Sequence, residues 1–124
     1  MLVDTDILID YLKDLPDAVE FVETHIDQIF VSVITIAELY QGVRDGDEES
    51  ALDVFISAVG SLEIDRVIAQ NAGLYRRKYM PSHNVGLADC LIAATATAHR
   101  LPLKTLNTKH FPMLEEIEAP YRKE

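Results

Sequence analysis

The chain has 124 residues, 48% of them hydrophobic, and 21 acidic side chains against 11 basic ones give a formal net charge of −10. This length suits one domain with a real core, and the composition excludes disorder or a disulfide scaffold as the basis of order. The acidic balance opposes broad attraction to a phosphate backbone, although an acidic site holding divalent cations can still receive phosphate through the metal. Cys90 is the only cysteine, so an intramolecular disulfide and a cysteine-based metal cluster are both ruled out, and a reducing cytoplasm fits best. The opening MLVDTDILIDYL has no basic leader, which argues against a signal peptide. IFVSVITIA reaches only about half of the ~18–20 apolar residues a membrane span requires.

In chain order, residues 1–3 predict a short strand running into Asp4, Thr5 and Asp6, after which Ile7, Leu8, Tyr11 and Leu12 recur at helical spacing. A second helix is expected over 17–26 and a strand over 29–33, the β-branched and aromatic run IFVSV. Thr35 opens a helix through Val43, and another follows over 48–59 after the acidic loop RDGDEES. SLEID, 61–65, reads as a strand or a bend, and 66–79 as a helix. MPSHNVG is a loop, 87–99 a buried helix, LKTLN a strand and 116–119 a last short strand. Strands separated by helical stretches predict a three-layer α/β/α sandwich on a mostly parallel sheet, because parallel strands need crossover connections. Ligands in such sheets bind outside the carboxyl ends of the strands. Asp4, the residues after IFVSV and the end of LKTLN share that rim.

Three acids stand out there. Asp4 is either a carboxylate at the rim or a helix N-cap, and Asp6 fits the first helical turn, where its charge suits the dipole. Glu38 completes Thr35-Ile-Ala-Glu38, a capping-box pattern, yet it also follows a core strand directly. Asp89 lies in GLADCLIAATATAHRL, where Leu91, Ile92, Ala93, Ala94 and Ala96 leave no polar stripe, so an inward-facing carboxylate is expected. A helix dipole offers roughly 0.3–1 kcal/mol, too little to offset the several kcal/mol of burying a charge. Clustered carboxylates repel unless a proton or cation lies between them, and Mg²⁺ or Mn²⁺ suits an oxygen-only site completed by water. Arg76, Arg77 and Lys78, beside Tyr75 and Tyr79, form the best basic cluster; they are either a guide for phosphate or a solvated last helical turn.

Through MLVDTDILIDYL, SVITIAELYQGV and GLADCLIAATATAHRLPLKTLNTKHF, the chain resembles the PIN domain family, and within it the VapC-like toxin ribonucleases of toxin-antitoxin pairs. The resemblance implies metal-dependent endonucleolytic cleavage of RNA with Asp4, Glu38 and Asp89 as the acidic site. It also implies a homodimer inhibited by a cognate antitoxin. Thr5 matches the polar residue beside the first acid, and Thr105 and Asn107 match the polar positions after the last core strand. Where the family often has a further acid, this chain reads Asn-Thr-Lys-His, so Asn107 offers a neutral oxygen and His110 is a contact to phosphate or metal shell, or an ordinary loop histidine. Tyr40, Val43, Leu52, Phe55, Ile56 and Val59 give two helices more apolar surface than one small sheet obviously needs; core packing explains most of it, and an amphipathic antitoxin helix with a basic tail would fit any groove that remains. Two alternatives remain: a PIN-fold binding module without turnover, and a haloacid-dehalogenase-like phosphatase opening on Asp4-Thr5-Asp6. The second lacks the acidic pair it needs after another convincing strand.

Overall fold

The computed structural model describes residues 1–122. Five short strands, β1 (Leu2–Val3), β2 (Phe30–Ser32), β3 (Gly60–Leu62), β4 (Leu103–Lys104) and β5 (Ile117–Glu118), pair in the order β3-β2-β1-β4-β5. Every pairing is parallel, so the sheet is wholly rather than mostly so. Six helices make the long crossovers. α1 (Thr5–Leu12) and α2 (Pro16–His25) join β1 to β2, α3 (Val33–Gln41) and α4 (Gly46–Ala58) join β2 to β3, and α5 (Arg66–His83) and α6 (Leu87–His99) join β3 to β4.

The chain steps outward from β1 to β3, then returns to the far side of β1 to lay down β4. Right-handed crossovers running in opposite directions put their helices on opposite faces, and the core divides accordingly. Val3 and Val31 pack with Ile7, Leu8, Val22, Leu39, Leu52 and Phe55 from α1 to α4. Leu2 and Leu103 pack with Ile92, Ala93, Ala96 and Phe111, while Ile68, Ala72, Cys90 and Ala94 bind α5 to α6. Adjacent residues of β1 thus serve opposite layers, as the pleat of a strand requires. The result is an α/β/α sandwich whose direction of travel reverses between β1 and β4. That reversal opens a crevice at the carboxyl ends of these two strands.

Several local expectations are corrected. Helix α3 begins at Val33 rather than Thr35, because Ser32 caps it, its hydroxyl accepting from Ile34 N at 3.2 Å. The capping box is therefore not formed, and Thr35 is buried inside the first turn. Helix α5 runs past Tyr79 to His83, through Pro81. A proline so near the end forfeits one backbone bond only, and Asn84, at φ 51°, closes the helix by donating its N–H to Met80. Segment 61–65 holds a strand at its start, and LKTLN shortens to β4 because side chains capture the next backbone donors: Leu106 N goes to Asp6 and Asn107 N to Thr105. Leu52 and Phe55 are buried, and Tyr40, Val43, Ile56 and Val59 pack against the same cluster, so core packing accounts for this apolar surface of α3 and α4, in line with the expectation that it explains most of it. No helix among the described residues is long and apolar enough to cross a membrane.

Ile92 is 1% exposed and Val54 70% exposed. Ile92→Ala is expected to cost about 2–5 kcal/mol in urea unfolding, whereas Val54→Ala stays within ~0.5 kcal/mol of the parent.

Candidate active site

Asp4 stands where β1 turns into α1 and is 5% exposed. Its extended backbone makes it the N-cap, with Oδ1 accepting from Thr5 N at 2.7 Å. Its other oxygen accepts from the Thr105 hydroxyl, also at 2.7 Å, at the end of β4. The cap and the rim acid are thus one residue. Neither partner carries positive charge, and the carboxyl is pushed up to about 7, by burial first and then by the Asp6 charge, with Asp89 adding to the rise. The bonds from Thr105 and Thr5 oppose this without cancelling it.

Glu38 reaches the same rim from α3. Thr35 and Glu38, three residues apart, share a helix face, and both meet Thr5: Thr5 Oγ1 donates to Glu38 Oε1 at 2.7 Å and lies 3.0 Å from Thr35 Oγ1. One hydroxyl has one proton. With that proton on Glu38, Thr35 must donate to Thr5, and the buried Thr35 fixes the carboxylate through a relay.

Asp89 occupies the first turn of α6. It is not turned fully inward as expected: its side chain keeps 28% exposure and lies with Oδ2 3.4 Å from His110 Nδ1. Burial raises its pKa and the His110 charge opposes the rise. His110 therefore does meet a candidate site residue, whereas Asn107 donates its side-chain N–H to Asp6 at 3.3 Å. Arg76, Arg77 and Lys78 lie exposed on α5, outside this hydrogen-bonded group.

Asp6 is the residue whose role sequence reasoning underestimated. Beyond its place in the first turn, its Oδ2 accepts from Leu106 N at 3.0 Å, pinning the segment after β4 to α1. These partners lie 100 positions apart. Only the repeat of acids at Asp4 and Asp6 hinted at a second use.

The carboxylates of Asp4 and Asp89 repel, offer hard oxygen donors and face a crevice, a combination that fits a divalent cation. Among the described residues no three His, Cys, Asp or Glu side chains form a ready ligand group. Asp4 and Asp89 are the residues that could hold a cation together with water, with Glu38 held on Thr5 behind them.

The profile of the PIN domain family matches residues 1–115, and the chain belongs to that family. Among its relatives, ribonuclease VapC10 of Mycobacterium tuberculosis is 38% identical, the match covering 98% of this chain and 92% of that protein. Ribonuclease VapC19 of the same organism is 37% identical, covering 97% and 98%. A solved toxin-antitoxin complex from Klebsiella pneumoniae contains a chain 31% identical, with a TM-score of 0.85 and 98% of each chain covered. A DNA-bound VapBC complex from Salmonella typhimurium contains another at 26% identity and a TM-score of 0.80, covering 94% of this chain and 95% of that one.

Folded Asp4 keeps its proton up to about 7 from an ordinary value of 3.8. Between these values the folded state binds more protons than the unfolded one, so stability falls as pH rises through that window. Asp4→Asn imitates the protonated acid. In metal-free buffer it is expected to gain about 2–4 kcal/mol over the parent at pH 8 and nothing at pH 3.5, measured by urea unfolding; an equal difference at both pH values would contradict the assignment.

Proposed function

We propose that this chain is a metal-dependent endoribonuclease and the toxin of a toxin-antitoxin pair. The observation that carries the reading is the buried Asp4 at the reversal between β1 and β4, electrostatically coupled to Asp89 and bridged by Thr5 to Glu38. The relatives named as ribonucleases, and the neighbours solved in toxin-antitoxin complexes, support it. Asp4 and Asp89 would hold Mg²⁺ or Mn²⁺, which when bound would supply charge stabilisation to the scissile phosphate and acidify a bound water. Thr105 keeps the Asp4 carboxylate aimed at the crevice. Glu38, oriented by Thr5, positions the attacking water and accepts its proton. Asp6 holds the loop bearing Thr105 and Asn107 in place. A cognate antitoxin silences the site, and the toxin assembles as a homodimer.

A phosphatase opening on Asp4-Thr5-Asp6 would use its second acid as a proton donor and acceptor, but here Asp6 is committed to Leu106 N and Asn107. The purified chain is expected to cut RNA with Mg²⁺ or Mn²⁺ and to stop on chelation. Asp4→Ala and Asp89→Asn each lower the rate by more than ~100-fold, beyond the 10–100-fold usual for groups behind the ligands, and Thr5→Val by ~10-fold. Cleavage that survives both chelation and Asp89→Asn sinks the proposal, and a chain that binds partner protein but cuts no RNA with any ion is instead a binding module.

A further inference from the structure

Parallel crossover helices run antiparallel to their strands, so α6, which leads into β4, begins at the rim that bears Asp4. Helix α5 precedes it through a short connection and packs along it, which brings the C-terminal half of α5 to the same rim. Between the two helices lies an open groove of about 460 Å³ lined by Gly73, Arg76, Arg77, Met80, Pro81 and Leu87. Leu87 is 53% exposed and Met80 36% exposed, and Leu87 opens α6 two residues before Asp89.

The two arginines differ from Lys78. The Lys78 ammonium sits 5.2 Å from the centre of the Tyr79 ring, and Lys78 does not line the groove. Neither Arg76 nor Arg77 belongs to an ion pair among the described residues, although the chain carries a charge of −10. Arg76 lines the same groove as Leu87, the first residue of α6. Two unpaired guanidiniums beside exposed apolar side chains combine the two elements that bind single-stranded nucleic acid: cations for the backbone and apolar surface for unstacked bases. A peptide partner chosen by charge would need acids here, and the groove is open enough to admit a flat base.

We propose that this groove is a subsite for single-stranded RNA, with Arg76 and Arg77 each on one of two neighbouring phosphates and Met80 and Leu87 against a base, at the end of α6 that bears Asp89. The space above Gly73 is open, with nothing within 4 Å of where a Cβ would stand. This inference rests on the nuclease reading, of which it names the substrate contacts.

The test is binding of a fluorescent single-stranded RNA to the full chain without divalent cations, by anisotropy across a salt series. The double variant R76A/R77A should weaken binding about tenfold at low salt and reduce the slope of log affinity against log salt by ~1.4, the value for two lost phosphate contacts on a single strand. Leu87→Ala should weaken binding about threefold to tenfold with the slope unchanged. Unchanged affinity and slope in R76A/R77A overturn the subsite, as does a change in oligomeric state by light scattering, which makes the groove a contact between copies, or a loss confined to antitoxin binding. Metal-dependent cleavage by the parent is measured alongside. If the parent cuts RNA while R76A/R77A binds and cuts it equally well, the groove falls and the nuclease reading stands; if the parent cuts no RNA, the nuclease reading itself falls.

Discussion

The burial of one negative charge among neutral hydrogen-bond donors organises this rim. Asp4 has an amide and a hydroxyl for company and no ion pair among the described residues. Those donors fix where the carboxylate points but do not neutralise it, and burial with like charges at Asp6 and Asp89 holds its proton affinity high. A protein under selection for stability alone would place an amide there, since an unpaired buried charge is among the costlier things a core can contain. The fold keeps the acid and surrounds it with threonines. Thr5, Thr35 and Thr105 are buried, and each has a hydroxyl spent on orienting a carboxylate or another hydroxyl. Such an arrangement suits the cation that the proposed function requires.

Topology makes this arrangement possible at so small a size. The strands contribute two or three residues each, too few to form a deep cleft by themselves. The reversal of direction between β1 and β4 separates the helices that follow each strand, and the polar ends of both strands are left facing one opening. Asp6 then couples the two sides, because its carboxylate ends the strand pairing of β4 early by taking Leu106 N. A longer β4 would carry Thr105 and Asn107 into a regular ladder. The same carboxylate that raises the proton affinity of Asp4 therefore also positions Thr105, the hydroxyl that lowers it.

Much of this was legible in the sequence because it is local. The alternation of apolar runs marked the strands and helices, and the isolation of Asp4, Glu38 and Asp89 among apolar neighbours marked the rim. The errors have a common physical origin in competition between equivalent local patterns. Ser32 and Thr35 are both good caps, and the residue that wins does so because Val33 and Ile34 already follow the turn out of β2. Pro81 reads as a helix breaker, yet in a last turn it removes a bond that the helix end can lose. Asp6, His110 and Asn107 could not be assigned from sequence because their partners lie far along the chain. His110 was ambiguous as a loop residue and becomes informative only when it is seen against Asp89.

That contact alters how the charge of the site should be weighed. From sequence, with no acid at Asn107 through His110, Asp89 would have to carry more of the negative charge that holds a cation. Among the described residues, Asp89 is the acid with a basic partner at 3.4 Å, and Asp4 is the one with none. The stronger demand for an external cation therefore falls on Asp4, the more buried of the two. Asp89, more exposed and at the mouth of α6, is better placed to meet an incoming phosphate as well as a metal. His110 stands beside it, and the arginines proposed to hold RNA lie on α5, which packs along the same helix.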